Sequence, residues 1–183
     1  REMEFNRLLS QVITKYGDSD QRLIKTVKNT IKFEKGKYQT ISDINQINIW
    51  IDQIEKKGFV AVDTETNSLD PNRADLVGIS LCYEPGKACY IPLKHDSEKT
   101  LDKNEVLKKL KSILEDKSIK KIGQNIKFDF IIFLRNGIKL NSMEDTMLMS
   151  YALDAGRHRH NMDNLSEIHL NHKTISFKEI TGS

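Results

Sequence analysis

The chain has 183 residues, enough for one domain with a sizeable core and an additional arm. With 38% hydrophobic and 30% charged residues it reads as a soluble globular protein, and apolar runs such as Phe130 to Leu134 fall far short of the roughly 20 residues of a membrane helix. A net charge of +3, from 29 basic and 26 acidic residues, is too mild to demonstrate nucleic-acid binding, and two cysteines do not make a disulfide scaffold.

Glu4 to Thr14 sets Phe5, Leu8, Leu9, Val12 and Ile13 at helical spacing. After the break at Tyr16-Gly17-Asp18, a weaker helix is predicted over Asp20 to Ile31, followed by the charged connector Lys32 to Lys37. Residues 1–36 therefore read as an arm or linker, and 37–183 as the compact domain. Tyr38 to Ile41 predicts a short strand. Ser42 is expected to cap a helix that turns Ile44, Ile47, Trp50, Ile51 and Ile54 inward, and Gly58 ends it. Phe59 to Asp63 is a strand. Leu76 to Tyr83 and Ala88 to Leu93 are two more, joined as a hairpin through Glu84-Pro-Gly-Lys87. Cys82 and Cys89 fall on these neighbouring strands, where a free cysteine acts as a small buried hydrophobe.

Leu101 to Glu115 is a charged amphipathic helix, Lys120 to Gly123 a short strand, and Asn125 to Arg135 a helix ended by Asn136-Gly137. Glu144-Asp145 is a short strand or turn. Helices follow at Thr146 to Asp154 and Met162 to Asn171. This order predicts an α/β domain whose mixed sheet is antiparallel first and parallel later.

Two segments carry carboxylates suited to chemistry. In Val62-Asp-Thr-Glu-Thr66 an apolar strand ends in two acids one residue apart, so Asp63 and Glu65 point to one face. Two adjacent like charges repel, and a divalent cation is one way to stabilise them. The pair also suits a solvated turn after a strand. In Lys121-Ile-Gly-Gln-Asn-Ile-Lys-Phe-Asp129, Asn125 and Asp129 share a face at a helix start. An N-cap with a partner for the helix dipole also accounts for them.

Taken together the segments are more specific. Val62-Asp-Thr-Glu-Thr-Asn-Ser-Leu-Asp70 and Gly123-Gln-Asn-Ile-Lys-Phe-Asp129 resemble the first two motifs of DnaQ-like (DEDD) exonucleases. Asp145-Thr-Met-Leu148, Ala155-Gly-Arg-His158, Met162-Asp-Asn-Leu165 and His172 to Ile180 extend the resemblance to the proofreading domain of family-A bacterial DNA polymerases. Glu2 to Leu9 resembles the end of a preceding 5′-nuclease portion.

The resemblance implies a ribonuclease-H-like mixed sheet flanked by helices, with an N-terminal helical arm and the C-terminal part of the fold missing. It implies 3′–5′ exonuclease activity by two-metal hydrolysis, using two Mg2+ or Mn2+ ions, with Zn2+ a further option. Asp63 would bridge both metals, Glu65 would hold the one that activates water, and Asp129 would support the second. Asn125 would orient Asp129 or a phosphate. Leu69 would wedge against the bases of a frayed 3′ end. Thr64, Gln124, Asn125, Phe128, Arg157 and Phe177 match positions that touch single-stranded DNA. For Leu69, Phe128 and Phe177, plain core packing is the alternative. Polymerase and 5′-nuclease domains in the same parent chain, and a cytoplasmic setting, are further implications.

The family's third motif, a Tyr followed four residues later by an Asp, is not in these 183 residues. Tyr151 to Asp154 is one residue too short for it. His158 to Asp163 fits the third motif of the other DnaQ-like branch but lies where the polymerase family has its Gly-Arg-His segment. A catalytically inactive scaffold or DNA-binding module with the same fold is the rival reading, and an RNase D-like enzyme a third.

Overall fold

The structure is a computed structural model describing residues 6–16, 38–93, 100–175, 179 and 182. Its centre is a strand, β2 (Phe59–Thr66), whose residues alternate between a buried and an open side. Val60, Val62 and Thr64 are buried, whereas Phe59, Asp63 and Glu65 are exposed. Beside it runs β3 (Leu76–Glu84), antiparallel to it, then β4 (Lys87–Pro92), antiparallel to β3, and beyond β4 the two-residue β1 (Gln39–Thr40), parallel to β4. On the other flank β5 (Lys120–Gly123) and β6 (Met143–Asp145) run parallel. The order β1-β4-β3-β2-β5-β6 is the mixed α/β sheet expected from the element sequence.

Helices α2 (Gln46–Lys57) and α3 (Lys103–Glu115) pack against each other, and their buried stripes join the strand residues in one core. Ile47, Trp50 and Ile54 of α2 and Val106, Leu110 and Ile113 of α3 meet Val60, Val62, Ile79, Leu81 and Ile91. Each such side chain contributes roughly 1.5–3 kcal/mol of burial. Gly58 ends α2 with φ 72°, a conformation glycine adopts without strain.

The start of α2 differs from the expectation. Asn45 occupies the cap position with no side-chain capping bond, and Ser42 instead donates its backbone N–H to Gln46 Oε1 at 3.2 Å. The turn Asp43 to Asn45, braced by Asp43 Oδ1, displaces the helix start beyond reach of Ser42.

Lys121 of β5 is fully buried and closes the far end of α3. Its Nζ donates to the carbonyls of Ile113, Asp116 and Ile119 at 3.3, 2.5 and 2.6 Å. A cation at a helix C-terminus satisfies otherwise orphaned acceptors and complements the dipole. Burial, its largest influence, pulls the Lys121 pKa down.

The remaining helices are α1 (Asn6–Tyr16), α4 (Lys127–Arg135), α5 (Thr146–Asp154) and α6 (Met162–Leu170). The helix expected over Asp20 to Ile31 lies outside the described residues. Among the described residues no helix is long and apolar enough to cross a membrane.

Candidate active site

β2 runs past Asp63 to Thr66, so both acids of the Asp-Thr-Glu triplet are strand residues on the open face. Thr64 between them turns inward, to the side that carries Val60 and Val62. There it meets Asp129, which the first turn of α4 delivers from 65 residues away. The Thr64 backbone N–H and hydroxyl both donate to Asp129 Oδ1, at 2.8 and 2.6 Å. Thr64 is 7% exposed and Asp129 3%. The Thr64 side chain, expected at a position that touches DNA, is thus turned into the protein. Strand alternation buries it, and its hydroxyl braces a carboxylate instead.

The acids form one electrostatic neighbourhood. Burial of its surroundings, then the charges of Asp129 and Glu65, push Asp63 up from 3.8 to about 6. Asp63 remains solvent-accessible on the face, so its walls rather than a lid remove hydration. Burial also raises Asp129; the two Thr64 bonds oppose that, and the nearby Asp145 charge adds to it.

Among the described residues no three His, Cys, Asp or Glu side chains stand as a ready-made metal cluster. The acids' chemistry nevertheless fits a hard divalent cation: the donors are all carboxylate oxygens, and two of the acids hold their protons too tightly, a strain a positive charge relieves. Beside Asp63 the open face carries a pocket of about 290 Å³, lined by Ala61, Ser80, Cys82, Ile122, Gln124 and Met162 among others.

The turn before α4 is built differently from a simple capped helix. Asn125 has φ 58° and precedes the helix, which starts at Lys127 with no side-chain cap bond. Asn125 is therefore neither the N-cap nor on the Asp129 face of the helix, and the donors on Asp129 Oδ1 come from Thr64. Asp145 holds the turn. Its Oδ1 and Oδ2 accept the backbone N–H groups of Asn125 and Ile126 at 3.0 and 3.1 Å, and Oδ1 also caps α5 through Met147 and Leu148 at 2.9 and 3.3 Å. In the sequence Asp145 stands out only as a motif residue at a short strand or turn; the signal for its capping role is an acid directly before a predicted helix.

Gln124, expected on the DNA, has both ends of its amide engaged within the protein. Nε2 donates to His160 O at 2.8 Å, and Oε1 accepts from Thr146 Oγ1 at 2.6 Å. Leu69 is 96% exposed in the loop after β2, which rules out core packing for it. Phe128 is half-buried against the core. Arg157 is exposed and donates to Asp154 Oδ1 at 2.8 Å. Phe177 lies outside the described residues. Asp163 accepts from Thr174 Oγ1 at 2.5 Å, and the His158 ring lies tilted 52° against that of His160, centroids 4.8 Å apart. Both cysteines are free, and burial pushes Cys89 up to about 12, an inert thiol.

Comparison with known proteins agrees with this geometry. A family model described as 3′-5′ exonuclease matches residues 38–183. DNA polymerase I of Rhizobium leguminosarum is 38% identical over 174 residues, covering 84% of this chain and 17% of the relative. DNA polymerase I of Pseudomonas aeruginosa is 34% identical over 188 residues, covering 100% of this chain and 20% of the relative. The chain thus spans a fifth or less of the length of these curated relatives. Among solved structures, Brucella melitensis NrnC with bound Mg2+ superposes with a TM-score of 0.58 at 20% identity, covering 80% of this chain and 67% of that one, which shows a shared fold.

Proposed function

This chain belongs to the 3′-5′ exonuclease family carried by DNA polymerase I, and from that membership we propose that it removes nucleotides from single-stranded or frayed DNA 3′ ends as the proofreading module of such a polymerase. Residues 37–183 are the exonuclease unit, residues 1–36 the arm that links it to a 5′-nuclease region, and the setting is cytoplasmic. The observation that supports the reading is that Asp129 is held by Thr64, the residue between Asp63 and Glu65, and that its charge acts on Asp63.

Asp63, Glu65 and Asp129 would hold divalent cations, Mg2+ or Mn2+ rather than a soft metal given an all-oxygen donor set. Bound there, the cations would lower the pKa of a water and stabilise the attacking and leaving oxygens. The chain's own part is positional. Thr64 keeps Asp129 Oδ1 occupied by two donors, which leaves Oδ2 as its outward oxygen. Asp145 holds the backbone turn that sets the start of α4, and Gln124 ties that turn to His160 and Thr146. Leu69, exposed in the loop after the acids' strand, would enter between terminal bases, Phe128 would offer an aromatic edge and Arg157 a phosphate contact.

The test is metal-dependent release of mononucleotides from a 3′-labelled single strand, in a chain that also carries the third motif. Activity should disappear in Asp63→Ala. A folded, DNA-binding protein that never hydrolyses the strand would replace this reading with a scaffold.

A further inference from the structure

Strand β3, next to β2, carries a glycine in its interior. Gly78 stands directly opposite Glu65 in the β2–β3 ladder. Glycine inside a strand marks a close approach, and here the approaching group is Tyr90. A Cβ added to Gly78 would collide with the Tyr90 hydroxyl, Cζ and Cε2, so the phenol lies directly across the Gly78 Cα.

The register shows where that puts the hydroxyl. Asp63 pairs with Ser80, and Ser80 pairs with Tyr90, so Tyr90 stands in the row of Asp63 and on the same open face. From that row the ring leans one row along, onto Gly78, the direct neighbour of Glu65. Residues directly opposite across antiparallel strands are separated by about 4.5–5.5 Å at Cα. The phenol hydroxyl thereby lies in the row of Glu65, over the residue one strand away from it.

We propose that Tyr90 is a positioning residue for Glu65: its hydroxyl, laid across Gly78 on the neighbouring strand, would donate to the Glu65 carboxylate once that carboxylate turns to take a divalent cation, and so fix its orientation there. The electrostatics agree on proximity, since the Tyr90 proton is held above the ordinary phenol range by burial first and by the Glu65 charge second. The inference rests on Glu65 as a metal ligand and deepens that reading. Outer groups that orient a ligating carboxylate are typically worth about 10–100-fold in metal affinity.

The experiment is Mn2+ titration of this 183-residue chain by electron paramagnetic resonance, comparing wild type, Tyr90→Phe, Gly78→Ala and Glu65→Gln. Thermal midpoints without metal check the fold of each. Tyr90→Phe keeps the ring and removes only the hydroxyl. It should weaken Mn2+ about 10-fold with an unchanged metal-free midpoint. Gly78→Ala, which displaces the phenol, should weaken Mn2+ at least as much; if it does not fold, Tyr90→Phe alone decides. Loss of binding in Glu65→Gln together with wild-type binding in Tyr90→Phe would overturn the role of Tyr90 and leave the metal site standing. Wild-type binding in Glu65→Gln would instead overturn the metal assignment on which it rests.

Discussion

Replacing Asp63 with Asn should make the metal-free protein more stable at neutral pH while removing its function. Asp63 is raised from 3.8 to about 6 by burial and by its acidic neighbours. The folded state therefore binds this proton more tightly than the unfolded state. By linkage, stability falls as pH rises between about 4 and 6, and stays lower above that window. The full shift corresponds to a ceiling of ~3 kcal/mol. Asp63 is solvent-accessible, so screening reduces the expected cost of its charge to ~1 kcal/mol. Urea denaturation in a chelator at pH 7.5 should show Asp63→Asn more stable by about that amount, and the gap should shrink towards pH 4, where folded wild type carries a neutral Asp63. Millimolar Mg2+ should then stabilise wild type and leave the variant unmoved. The reasoning fails if the variant is less stable at pH 7.5, or if the gap does not change with pH.

Asp145→Ala removes the acceptor of four backbone N–H groups. Losing the α5 cap and leaving the Asn125 and Ile126 donors without it should cost about 3 kcal/mol in a urea midpoint series, with Asp145→Asn near half of that. Thr64→Val keeps the shape and the backbone bond but deletes the 2.6 Å hydroxyl bond to Asp129. It should cost about 2 kcal/mol at neutral pH, fading in acid as Asp129 becomes protonated, since the lost bond supported its charged form. Leu69→Ala, at a side chain 96% exposed, should change stability by less than about 0.5 kcal/mol, yet weaken binding of a single-stranded 3′ end several-fold in a fluorescence titration.

What the sequence determined by itself is what adjacent residues decide. Alternation in Phe59 to Thr66 sends Asp63 and Glu65 to one face and Val60, Val62 and Thr64 to the other, whatever the rest of the chain does. Gly58 stops α2 because only its own backbone is involved, and the stripe Ile47, Trp50, Ile54 reads directly as a buried face. The tertiary structure decided which distant groups meet. It gave Asp129 to Thr64 rather than to Asn125, turned Asn125 out of the helix and tied it to Asp145, and drew the Gln124 amide inward. It also laid Tyr90 across Gly78 beside Glu65. These choices depend on strand register and on how α4 seats against β2, and neither is encoded in local periodicity, because a hydrogen bond across 65 residues exists only after the sheet has set the distance between its ends.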